Sequence, residues 1–177
     1  YGSYEELLND PEVDAVYISN PHAFHFDSVM QCFEHNKHVL CEKPITTSAE
    51  EYALLKELAD RNGLVYMEAI MSRHAHGREQ LLSALSQIGT LSTIRIDYSQ
   101  LSSRYPRFLK GEHVNIFDMS LHAGALMDLG IYCVYGAVDI LGKPKNIHAV
   151  ASFLSNGADG SGTAIFEYDC CNAVLTY

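Results

Sequence analysis

The 177-residue sequence predicts an α/β fold: a parallel sheet with flanking helices, followed by an α+β part on a mostly antiparallel, open sheet. Three observations predict it. Short apolar runs alternate with amphipathic helical stripes as far as Met67, the pattern of βαβ units. Capping residues and a glycine punctuate those stripes. From Ile147 on, strand-like runs follow one another through tight turns with no helix between them, as antiparallel strands do. The change of pattern divides the chain into 1–70 and 71–177.

The elements follow in order. Ser3-Tyr4-Glu5-Glu6 is a capping box that opens a short helix, interrupted at Asp10-Pro11. Ala15 to Ile18 reads as a buried strand, with Asn20-Pro21 as the loop at its carboxyl end. A helix spans about Phe24 to His35, with Phe26, Val29, Met30 and Phe33 on one face. His38 to Cys41 is the next strand. Ser48-Ala49-Glu50-Glu51 is a second capping box, its helix striped by Tyr52, Leu55, Leu58 and Ala59 and ended at Asn62-Gly63. Leu64 to Met67 is a third strand.

In the second part, Gly77 to Gln87 reads as helix. Thr93 to Ser99 alternates, with Ile94, Ile96 and Tyr98 on one side, and reads as a half-buried strand. Gln100 to Ser120 reads as a long polar loop, a type that is often functional. A strong helix is expected from about Ala123 to Leu141. Ile147 to Leu154, Thr163 to Tyr168 and Cys171 to Tyr177 read as consecutive strands. Gly157 to Gly162 reads as a flexible hairpin tip between two of them, because it has neither the length of a calcium loop nor a following helix to hold phosphate.

Composition narrows the function classes. Apolar residues make up 47% of the chain, enough to bury a core. The net charge of -10 argues against nucleic acid and anionic membranes as partners. Phosphorylated cofactors stay open, since backbone N–H groups and helix N-termini hold phosphates without basic side chains. The five cysteines, Cys32, Cys41, Cys133, Cys170 and Cys171, form no C-x-x-C pair. Reduced thiols in apolar runs suit a reducing cytoplasm. No apolar stretch reads as long enough to span a bilayer, and no signal peptide opens the chain. The chain begins at Tyr1 without methionine and stops inside an apparent strand, so it reads as an internal piece of a longer protein.

Two constellations could carry chemistry. In His38-Val39-Leu40-Cys41-Glu42-Lys43-Pro44 a strand ends at a charged pair and a proline. Ligands of open α/β sheets sit outside the carboxyl ends of strands, so Lys43 stands where chemistry happens in such folds. Pro44 stiffens the backbone after it. In the long helix, Asp128 and Tyr132 are one turn apart on one face, extended by Tyr135 and Asp139. A carboxylate and a phenol so placed can hold a substrate hydroxyl and exchange a proton with it. The bland readings are a solvated loop lysine and a polar helix face. The histidines form no H-E-x-x-H pair, and no metal is proposed.

Together these residues are similar to a known family. Asn20-Pro21 followed by His25, then His38 to Pro44, then Gly124-Ala125-Leu126-Met127-Asp128-Leu129-Gly130-Ile131-Tyr132 resemble the glucose-fructose oxidoreductase / inositol dehydrogenase family of NAD(P)-dependent enzymes. The likeness covers nearly all of the chain. It implies that 1–70 is the second half of a Rossmann domain lacking its glycine-rich first βαβ unit. It implies that 71–177 is the first part of an α+β substrate and dimerisation domain. It maps Lys43 onto the active-site lysine, and Ser19, Asn20, Pro21, His25 and Glu42 onto positions lining the cofactor. Arg73 maps near the nicotinamide. Tyr132, where many members have histidine, resembles the branch with dimeric dihydrodiol dehydrogenase. Met119 and His122 depart from the usual proline and glycine.

The resemblance implies an oxidoreductase acting on a CH–OH group of a sugar, polyol or related compound, with NAD or NADP as cofactor. Tyr132 would be the general acid/base, its phenolate favoured by the Lys43 ammonium, and Asp128 would bind a substrate hydroxyl or orient Lys43. The Lys43 ammonium and the Tyr132 hydroxyl are expected to face one cleft. A homodimer or homotetramer through the second sheet is expected. The alternatives are an NAD-dependent glycoside hydrolase of the same fold and a non-catalytic cofactor or sugar sensor.

Overall fold

A computed structural model describes residues 1–177. The backbone forms two compact units, Tyr1–Ala69 with Ser120–His122, and Ile70–Met119 with Ala123–Tyr177.

In the first unit, helix α1 (Tyr4–Asn9) starts where Ser3 Oγ accepts the Glu6 N–H at 3.2 Å, and Glu6 in turn accepts the Gly2 N–H at 2.7 Å. Strand β1 (Ala15–Ile18), helix α2 (His25–Glu34), strand β2 (His38–Cys41), helix α3 (Ala49–Asn62) and strand β3 (Tyr66–Glu68) follow. The second capping box forms: Ser48 Oγ accepts the Glu51 N–H at 3.1 Å and Glu51 accepts the Thr47 N–H at 3.0 Å. Gly63 ends α3 at φ +63, a left-handed conformation that glycine adopts without strain. The sheet order is β1-β2-β3, all parallel, with Ile18 opposite Cys41 and Cys41 opposite Glu68.

The strands are half-buried rather than fully buried as expected. Val29, Cys32 and Phe33 of α2 and Leu55 and Ala59 of α3 pack with Ile18, Val39 and Cys41 on one face. Tyr17, Leu40 and Met67 point the other way and are exposed, because side chains alternate along a strand and both helices cover the same side.

The second unit contains helix α4 (Arg78–Leu85), strand β4 (Thr93–Asp97), helices α5 (Tyr105–Leu109) and α6 (Ile131–Leu141), and strands β5 (Asn146–Phe153), β6 (Asp159–Glu167) and β7 (Asn172–Thr176). The sheet order is β4-β7-β6-β5. The β5–β6 and β6–β7 pairs are antiparallel and β4–β7 is parallel, so the sheet is mixed and mostly antiparallel as expected. Cys133 and Ala137 of α6 pack onto Ala164, Phe166, Ala173 and Leu175. These small side chains, with Gly136 against Ile96, let the helix lie close to the sheet. The other face is open, with Val150 and Ile165 exposed.

Four expectations change here. The stretch from Gln100 to Ser120 is not one loop: α5 and two 3₁₀ turns lie in it, held by ring contacts among Tyr105, Phe108 and Phe117. The expected helix from Ala123 starts instead as a π-helical turn over Leu126–Gly130. Residues 159–162 belong to strand β6, not to a hairpin tip; the turn is tighter, with Gly157 at φ +89. By length and composition the run Met119–Leu141 could cross a membrane, contrary to expectation. Here it is broken into 3₁₀, π and α pieces, and α6 packs on the sheet.

Candidate active site

Parallel pairing of β1 with β2 sets their carboxyl ends side by side, so Ser19-Asn20-Pro21 and Glu42-Lys43-Pro44 adjoin at one edge of the first sheet. Ser19 is exposed; Asn20, Pro21, Glu42 and Lys43 are half-buried. The loop after β2 is pinned at nearly every residue. The Glu42 N–H donates to Ile18 O at 2.9 Å, and the Lys43 N–H donates to its neighbour's carboxylate, Glu42 Oε2, at 3.2 Å. Glu42 also accepts the Tyr17 hydroxyl. The Ile45 N–H donates to Glu68 Oε1 at 2.8 Å. On the β1 side, the Asn20 amide donates to Ser28 Oγ at 2.8 Å, while its buried Oδ1 accepts from no protein group.

His25 lies in the interior. Its side chain is 0% exposed, so it does not line a surface. Its ring nitrogens lie 2.8 Å from Pro44 O and 2.9 Å from Asn20 O. Carbonyl oxygens only accept, so an imidazolium donates to both and a neutral ring to one.

In the second unit Tyr132 stands at the start of α6. Its ring meets that of Tyr98 edge-on, with centroids 5.3 Å apart. Both line a cavity of about 440 Å³ with Met71, Ser72, Asp97 and Cys133. Asp128 lines a different cavity, of about 510 Å³, with Tyr105, Phe117 and Tyr177. Arg73 is tied to Asp139 at 3.1 Å, and Arg78 grips the same carboxylate with two bonds of 2.6 Å. Tyr135 lines a third cavity beside these three. The guanidinium of Arg78, then the charges of Arg78 and Arg73, hold the Asp139 carboxyl below its ordinary range.

Residues 1–70 match the model of an oxidoreductase family with an NAD-binding Rossmann fold, and residues 82–177 match the GFO/IDH/MocA C-terminal domain. The chain belongs to the GFO/IDH/MocA oxidoreductase family. Among curated relatives, scyllo-inositol 2-dehydrogenase (NADP(+)) IolU of Bacillus subtilis is 39% identical over 177 residues, which is all of this chain and 54% of that protein. The trans-1,2-dihydrobenzene-1,2-diol dehydrogenase of Bos taurus is 38% identical over 170 residues, 95% of this chain and 49% of that one. This GFO/IDH/MocA chain therefore spans about half the length of the curated relatives it matches. Among solved structures, a mutant of KijD10, a 3-ketoreductase from Actinomadura kijaniata in complex with TDP-benzene and NADP, superposes with a TM-score of 0.83 at 26% identity. That match covers 98% of this chain and 53% of the other.

The residues at the first sheet's carboxyl edge fit the nicotinamide dinucleotide that this family binds. Ser19 is open to solvent there. The orphaned Asn20 Oδ1 is the kind of buried acceptor that a ligand or an ordered water satisfies. Ser19, Asn20, Pro21, Glu42 and Lys43 would hold it there.

Sequence reasoning missed several members of these sites. Ser28 and Glu68 support Asn20 and the Lys43 loop through hydrogen bonds with no local signature. Asp159 accepts the Leu126 N–H at 2.7 Å and so caps the π turn from a strand 33 positions away. Gly124 makes room for it: at φ +143, a Cβ there would meet Asp159 Oδ1 at 1.9 Å. Tyr98 was legible as sharing a strand face with Ile94 and Ile96, but not as a partner of Tyr132.

Proposed function

We propose that this chain is the central part of an NAD(P)-dependent oxidoreductase acting on a CH–OH or carbonyl group of a sugar-like or cyclic polyol compound. The observation that carries the reading is Lys43, held by a pinned loop at the carboxyl edge next to Asn20, in a segment that matches an NAD-binding family. Two relatives at least 38% identical over the aligned residues are named for six-membered carbocycles with hydroxyl groups.

NAD or NADP, when bound, supplies the hydride acceptor or donor. The protein's work is positioning and proton transfer. Residues 1–70 serve as the second half of the cofactor domain, with Ser19, Asn20, Pro21 and Glu42 shaping its binding edge. Residues 71–177 serve as the first part of the substrate domain. Tyr132 takes the proton of the reacting hydroxyl in oxidation and returns it in reduction, acting as general base and acid. Lys43 supplies positive charge that favours an oxyanion. Asp128 binds a further substrate hydroxyl. Arg73 acts indirectly, by holding Asp139. The open face bearing Val150 and Ile165 serves as a contact between identical chains. A reducing cytoplasm suits five free thiols.

The test uses the intact enzyme. NAD or NADP at millimolar concentration should raise the Tm through linkage. Addition of inositols or trans-cyclohexanediols should then change the nicotinamide absorbance. No stabilisation by either dinucleotide contradicts the proposal.

A further inference from the structure

We infer that His25 is a positioning residue that couples the two strand-end segments of the cofactor edge, holding Asn20 and Lys43 in register while touching no ligand itself. The inference rests on the proposed role of that edge.

The ring is fully buried at the first residue of α2, a ten-residue helix packed into the core through Val29 and Phe33. From that anchor it reaches two separate segments: Pro44 O at 2.8 Å and Asn20 O at 2.9 Å. Proline has no N–H, so the carbonyl is Pro44's one main-chain hydrogen-bonding group, and His25 takes it. Pro44 directly follows Lys43 and is buried. The other acceptor belongs to Asn20, whose side-chain Oδ1 awaits a partner. At the sheet itself the Glu42 N–H already joins the two strand ends through Ile18 O, and the Ile45 N–H is held by Glu68; His25 adds the tie beyond the strand ends. His25 reaches both segments at once. His22 leans edge-on against it, with ring centroids 5.7 Å apart, and limits rotation of the ring.

An apolar substitute would fill the space and leave the Pro44 and Asn20 carbonyls without the ring, so the residues beyond the strand ends would lose the side chain that links them. Hydride and proton transfer are sensitive to such settling: a displacement of about 1 Å can cost on the order of 10²-fold.

The test compares His25→Leu and His25→Gln in the intact enzyme, with kcat normalised to cofactor-binding sites and measured well below each Tm. A glutamine amide keeps N–H donors on a neutral group of related reach. His25→Leu should lower kcat by roughly 10²-fold and raise the cofactor KM more than the KM of the second substrate. His25→Gln should recover at least about tenfold of the lost kcat, a scale usual for groups that support ligand-contacting residues. A residue that only stabilises the fold would lower Tm and leave normalised kcat and cofactor KM unchanged; that result overturns the inference. If His25→Leu does not fold, a wild-type kcat and cofactor KM in His25→Asn, whose shorter amide does not span both carbonyls, overturns it equally. An inactive wild type would instead remove the reading on which it rests.

Discussion

Arg78 holds Asp139 in a two-bond fork, Nε and Nη2 each 2.6 Å from a carboxylate oxygen. The two residues are 61 positions apart and join the start of α4 to α6, with Arg73 adding a third bond at 3.1 Å. A planar guanidinium matches a carboxylate in this way, which lysine cannot do.

That fork makes stability depend on pH. Asp139 has its folded pKa depressed, chiefly by the Arg78 hydrogen bond. Its contribution is fully present above the unfolded value of about 3.9 and is lost as pH falls through the folded one. Asp139→Asn should therefore be less stable than wild type at pH 7, with the gap closing as pH drops below about 4. Urea midpoints measured across that range test it. Parallel curves for the two proteins would show that the ion pair contributes nothing.

Burial separates the five thiols into two classes. Desolvation pushes Cys41 up to about 12 and Cys32 to about 11, and raises Cys133 and Cys171 as well. Cys170 is exposed. Since the thiolate is the reactive form, a disulfide reagent at neutral pH should label Cys170 quickly in the native protein. The other four should label only on unfolding. Rapid native labelling of Cys41 would mean that the strand end beside Lys43 opens readily.

What the sequence made legible were local, periodic features. Ser3 and Ser48 announced two helix starts, Gly63 an end, and the His38–Cys41 run a strand with Lys43 beyond it. Each depends on neighbours a few residues away. The misses depend on partners far along the chain. The π turn at Leu126–Gly130 is capped by Asp159, and no spacing rule links those positions. Alternation marked strands but not how many faces are covered, so Tyr17 and Leu40 were expected inside and stand exposed. A motif carries the identity of His25 but not its depth; three-dimensional packing put it at 0% exposure.

The claim that matters most is that Tyr132 moves the substrate proton, and the direct measurement is the rate of hydride transfer in Tyr132→Phe. The substitution keeps the ring, and with it the edge-on contact to Tyr98, and removes only the hydroxyl. In the intact enzyme, kcat should fall by roughly 10²–10⁴-fold, the usual span of general acid/base catalysis, while cofactor affinity stays nearly unchanged. Near-normal turnover in Tyr132→Phe would contradict the account, whatever else about the fold holds.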